Sequence, residues 1–256
     1  MADVRALQDR HLPWIGAALA LMVFAAFTPT YFVPVAAGQF DRPSILHVHG
    51  ALFFAWPVLF VVQAFLAARG RIQTHRSLGL LGIALATGMV FSGLAAMAST
   101  LRLAEQTNHQ GQGNALALVA FTGVLMFAVF VTAAVVYRHR RDIHQRLMLL
   151  ATLAMVQAAS VRFIALLAMG MGMLPARQEG VPAPLLPLGL VAVPHLLVDV
   201  VVLVAVCLYD WRKRGRVHIA YIVGGSLLML VQGLRHLIVD SDVWRGACAM
   251  LLALTR

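Results

Sequence analysis

Seven apolar runs recur along the chain, at about 13–35, 45–67, 77–99, 114–137, 145–170, 186–209 and 217–239. Each is long enough for a helix that crosses a hydrocarbon core, which takes ~20 apolar residues. The fourth run holds no ionisable residue between Ala115 and Val136. Pro29 and Pro34 in the first predict a kinked or unwound far end. Arg5 and Arg10 precede that run as they would in a signal peptide. It is long, however, and no small-residue cleavage site follows, so it is kept as a span. The expectation is an all-α, integral membrane seven-helix bundle forming a single transmembrane domain over residues 1–256.

The polar connections between the runs alternate in charge. The second, fourth and sixth connections carry Arg69, Arg71 and Arg76, then Arg138, Arg140, Arg141 and Arg146, then Arg212, Lys213, Arg214 and Arg216. The intervening connections hold one cation each: Arg42, Arg102 and Arg177. Cations gather on the cytoplasmic side of a membrane protein. The pattern therefore predicts a cytoplasmic N-terminus, with the C-terminus outside. Composition agrees, with 61% of the 256 residues hydrophobic and 12% charged, against about 25% charged in soluble domains. The net charge of +10 is absorbed by these loops, so no nucleic-acid partner is expected. Cys207 and Cys248 form no Cys-x-x-Cys unit, which leaves any metal chemistry to the ten histidines.

Two groups of histidines stand at opposite ends of the spans. The outer group is His47, His49, His195 and His236. His47 and His49 open the second span, and residues two apart on a helix diverge by ~200°, so a regular helix sends only one of them inward. His195 lies ~14 Å below the outer end of the sixth span at 1.5 Å per residue. Asp199 follows it by one turn, on the same face. Arg162 and Gln157 lie inside the fifth span and Arg235 adjoins His236. Ionisable groups at such depth mark functional sites unless, as Asp199 and Arg162 could, they only pair with each other. At the inner end, His75 and His144 begin the third and fifth spans. An echo accompanies them: Arg71-Ile-Gln-Thr-His75-Arg76 beside Arg141-Asp-Ile-His144-Gln-Arg146. Gly79 and Gly82 follow His75 on one face, leaving a flat strip for a planar macrocycle or for a packed helix.

Three chemistries suit these residues. His75 and His144 can hold haem b, with the outer group forming a second such site and Arg162 or Arg235 pairing propionates; this points to redox or electron transfer. Alternatively, the outer imidazoles bind zinc or another transition metal, with Asp199 and Gln157 behind them, for hydrolysis of a lipid-like substrate. The third reading is a transporter, sensor or assembly factor that uses the polar cavity for a quinone, lipid or small molecule without metal. Besides the bilayer, no partner or oligomeric state is specified.

Leu46-His-Val-His-Gly50, Trp56, Gln63, His75-Arg-Ser-Leu-Gly79 and His144-Gln-Arg-Leu-Met148 together resemble a widespread family of uncharacterised multi-pass bacterial membrane proteins. The resemblance covers residues 30–165 best. It implies a helical fold in the bacterial inner (cytoplasmic) membrane and no particular activity. The His-Arg-x-Leu-Gly element is also similar to helix-start histidines of b-type dihaem cytochromes and haem A synthase, which implies haem ligation; span four carries no histidine, unlike theirs. Seven helices with outer histidines are similar to the adiponectin receptors and alkaline ceramidases, whose last-span His-x-x-x-His pair is represented here by His236 alone.

Overall fold

The computed structural model describes residues 11–173 and 188–254, with side chains from 196 onward in the second segment. Every regular element among them is helical. The order is α1 (Leu12–Phe27), a π-turn (Thr28–Phe32), α2 (Val33–Ala36), α3 (Ile45–Ala68), α4 (Ile72–Gln106), α5 (Gln110–Val136), α6 (Arg141–Met155), α7 (Gln157–Gly170), α8 (Leu188–Arg214), α9 (Ile219–Ile238) and α10 (Asp242–Leu254). Five are long and apolar enough to cross a membrane, α1 to α2 counting as one, and six if α6 and α7 form one bent span. The sixth run of the sequence corresponds to α8, whose first turns lie outside the described side chains.

Local chemistry explains the breaks. Pro29 and Pro34 offer no N–H to the ladder, and the helix widens there into the π-turn, with the Thr28 hydroxyl donating to the Phe24 carbonyl at 2.8 Å. The fifth apolar run is not one straight helix: it bends by 60° between α6 and α7. No proline or glycine lies at that break. The Val156 N–H is shared between the Thr152 and Leu153 carbonyls, at 3.2 and 3.3 Å, so the ladder tightens. Across from it stands Gly123 of α5, where a Cβ would sit 3.3 Å from the Ala154 carbonyl. The missing side chain admits the displaced carbonyl.

α5 is the pivot of the bundle, packing on α4 and α6 and touching α9, while α3 joins α1 to α4. Phe127, Met89, Leu149, Leu150, Leu153 and Leu228 are fully enclosed. Small residues bring helices close, as at Gly224, which faces Leu150 and Phe130. The face away from the core is apolar too: Leu80, Phe91, Val201 and Leu230 are exposed, as a lipid-facing surface requires.

One end of the bundle collects the three basic connections. Arg141 reaches the Ala67 carbonyl at 3.4 Å. Arg146, 1% exposed, grips Asp210 through Nε at 3.0 Å and Nη2 at 2.5 Å, and donates through Nη1 to the Asp142 carbonyl at 2.7 Å. Asp210 also accepts from the His218 backbone at 3.3 Å and lies 3.8 Å from Arg214. His218 Nε2 meets Asp142 at 3.0 Å. At the opposite end, α10 lays Trp244 and Cys248 against Met97, Leu101 and Ala117, and the Trp244 indole donates to the Asn114 carbonyl at 2.8 Å. The apolar runs give no sign of this last helix.

Candidate functional site: an intramembrane cavity and a histidine pair

A cavity of 450 Å³ opens in the half of the bundle away from the basic connections. Its walls come from α1 and the π-turn, α3, α4, α5 and the α6–α7 break. Phe27, Phe53, Phe54 and Trp56 set aromatic faces into a wall that is mostly small and aliphatic. Trp56 is fixed by donating to the Thr152 hydroxyl at 3.2 Å and by an edge contact to Phe127, centroids 4.7 Å apart.

Six polar side chains interrupt the apolar lining; Tyr31 and Thr100 are already bonded, to His47 and to the Ala96 carbonyl, which leaves Gln157, Thr30, His49 and Arg162 to consider. Gln157 is 4% exposed, and neither its amide nitrogen nor its oxygen has a hydrogen-bond partner among the described residues. Thr30 Oγ1 and His49 Nδ1 are likewise buried without partners. The His49 ring lies against Phe53 with centroids 4.0 Å apart. Arg162 spreads its guanidinium over the Phe27 ring, 4.5 Å from the centroid, and donates to the Ala158 carbonyl at 2.8 Å. No carboxylate lines the cavity among the described residues. The bend after α6 turns the first residues of α7, Gln157 to Ala159, onto the wall. A single straight span would have carried them elsewhere.

The two histidines of α3 diverge as helix geometry requires. His49 faces the cavity, whereas His47 meets the Tyr31 hydroxyl at 3.0 Å and the edge of Phe40. His236 is exposed. The His195 side chain lies outside the described residues. Among the described residues no three His, Cys, Asp or Glu side chains converge on one point. The described members of the expected zinc set therefore stand apart. Asp199 does not pair with Arg162. It is fully buried and accepts from Gln232 at 2.8 Å, next to Arg235, whose Nε donates to Thr122 at 2.7 Å. Arg162 and Arg235 thus belong to different clusters, one in the cavity and one between α5, α8 and α9.

At the basic end, His75 and His144 meet with ring centroids 6.2 Å apart and planes at 89°. Their positions are equivalent: each backbone N–H bonds to the N-cap carbonyl of its helix, Arg71 at 3.0 Å and Arg140 at 2.9 Å. Each Nδ1 faces a backbone carbonyl, Gln63 at 3.3 Å and Ala134 at 2.8 Å. A carbonyl only accepts, so both Nδ1 atoms donate, and in the neutral form of either ring Nε2 keeps the lone pair. Gly79 and Gly82 do not leave a bare strip beside this pair. Gln63 and Leu59 of α3 cover them, so the glycines serve helix packing.

Reasoning from sequence missed Asp210, the one acid in a run of cations and for that reason the group to suspect. It also missed Thr30, whose role depends on a π-turn that no sequence period announces. No protein-family model, curated protein or solved structure significantly matches the chain, so the motif resemblance assigns no activity.

Proposed function

We propose that the chain is a seven-span protein of the bacterial cytoplasmic membrane, basic loops inside, that binds an amphipathic small molecule in its outer-half cavity. The observation that carries this is Gln157. A buried amide without a partner costs about 1–3 kcal/mol, and natural proteins rarely keep one except where something else satisfies it. The volume lies within the range of ligand sites, about 300–1,000 Å³, and a largely apolar wall with a few polar groups is their usual lining. The broken helix at the wall favours transport or sensing, because membrane carriers present half-helix N-termini to their substrates in this way. Native mass spectrometry of protein taken from its own membrane should show one small-molecule adduct. Ala120→Phe, which fills the cavity, should lose it. An adduct that survives this substitution, or none with the native chain, would overturn the reading.

A second reading has its own support at the other end. Two imidazoles on one iron, each nitrogen ~2.0 Å from the metal, place ring centroids at ~6 Å, close to the separation of His75 and His144. Carbonyl-held Nδ1 atoms fix such rings in orientation. Arg76 and Arg141 lie near enough to His75 to act on it electrostatically and would offset two propionates. Haem b held there would supply one-electron chemistry at the cytoplasmic face. Purified protein should then show a Soret band and a sharp reduced α-band, lost in His75→Ala and His144→Ala and kept in His49→Ala. A colourless, iron-free preparation would remove this reading and leave the cavity untouched.

A further inference from the structure

We infer that the cavity's occupant is a single-chain amphiphile with an anionic head, seated on Arg162 and the first turn of α7; the inference rests on the cavity being a binding site. Arg162 lies about one and a half turns inside α7, and among the described residues no acid lines the space around it. A lone cation at that depth is costly. Its visible compensation is the face of Phe27 and one backbone carbonyl. An aromatic face offsets part of a charge, not all of it. The break at Val156 adds a second source of positive potential, because helix N-termini carry partial positive charge and unsatisfied N–H groups. The Gln157 amide, buried and unpartnered on that same turn, supplies further donors. Thr30 adds a hydroxyl.

These groups are donors converging from α7 and the π-turn; His49, Tyr31 and Thr100 are the other polar members of a lining that is otherwise apolar. A neutral quinone would satisfy Gln157 and His49 and leave Arg162 uncompensated. A two-chain phospholipid is too large for 450 Å³. A carboxylate or phosphate monoester on one alkyl chain matches both the charge and the size, since guanidinium recognises either bidentately.

The test uses the full chain in phosphatidylcholine nanodiscs, with empty nanodiscs as the partition control. Dodecanoate, dodecyl phosphate and methyl dodecanoate are titrated and thermal stabilisation is read. At least one of the two anions should bind ten-fold or more tighter than the ester, the better one identifying the head. Arg162→Gln should abolish that preference while ester binding stays within about two-fold. Should Arg162→Gln fail to fold, the acid-against-ester comparison on the native chain still decides. Equal binding of ester and both anions overturns the anionic head and leaves the cavity reading standing. Binding of none of the three overturns both.

Discussion

The two ends of the bundle treat buried polar groups in opposite ways. At the basic end Arg146, Asp210, His218 and Asp142 close a network in which each charge meets a partner from another helix. In the other half, Gln157, Thr30, His49 Nδ1 and Asp199 Oδ1 are enclosed with nothing opposite them. Both regions carry similar residue types, so composition does not separate them. Pairing does. Polar groups that satisfy one another fix the arrangement of helices. Polar groups that satisfy nothing among the described residues are what the proposed ligand would meet. The α8–α9 part of the far half lies between these cases: Asp199 has one oxygen on Gln232 and the other without a partner.

The sharpest way to break this contrast is at the basic end. Removing one member of a buried ion pair leaves the other charge stranded and costs about 3–5 kcal/mol, whereas replacing both with apolar residues is often close to neutral. Arg146→Met should therefore lower the unfolding free energy of the reconstituted protein by that amount, and the double change with Asp210→Leu should recover most of it. A single substitution costing less than about 1 kcal/mol, the worth of an exposed pair, would mean that the network is a surface feature.

The opposite sign is expected in the cavity. With no ligand present, Gln157→Leu removes two unsatisfied polar atoms and keeps the volume, so stability should hold or rise by roughly 1 kcal/mol. Any ligand-dependent stabilisation should fall in the same variant. A clear loss of stability without ligand would show that Gln157 serves the fold.

Much of this architecture is legible in the chain, and the parts that are not share a cause. Length and apolarity announce the spans, because the bilayer sets a minimum that few other contexts demand. The spacing of His47 and His49 announces that they must part, since residues two apart on a helix cannot share a face. The matching helix starts at His75 and His144 announce equal depth. What the chain does not announce is contact between distant helices. The Arg146–Asp210 pair links residues 64 apart, and Trp56 finds Thr152 across 96. The bend at Val156 has no proline to mark it and depends on Gly123 from another helix. The cavity follows from that bend, so periodicity along one helix never reveals it.

The smallest effect tests whether His47 is a latch or a ligand. Its ring nitrogen meets the Tyr31 hydroxyl at 3.0 Å and ties the π-turn to the start of α3, at the rim of the cavity. Tyr31→Phe removes that one partly buried hydrogen bond and little packing, so it should cost about 1 kcal/mol or less. The loss is local. Amide exchange should quicken across residues 28–36, where the π-turn already weakens the ladder, while α5 and α6 keep their protection. A metal-binding His47 predicts otherwise: the phenol would be secondary, exchange would be unchanged by Tyr31→Phe, and added zinc would protect the same amides in both proteins. Faster exchange that zinc does not reverse would make the bond a hinge pin for the wall that carries Thr30 and Tyr31.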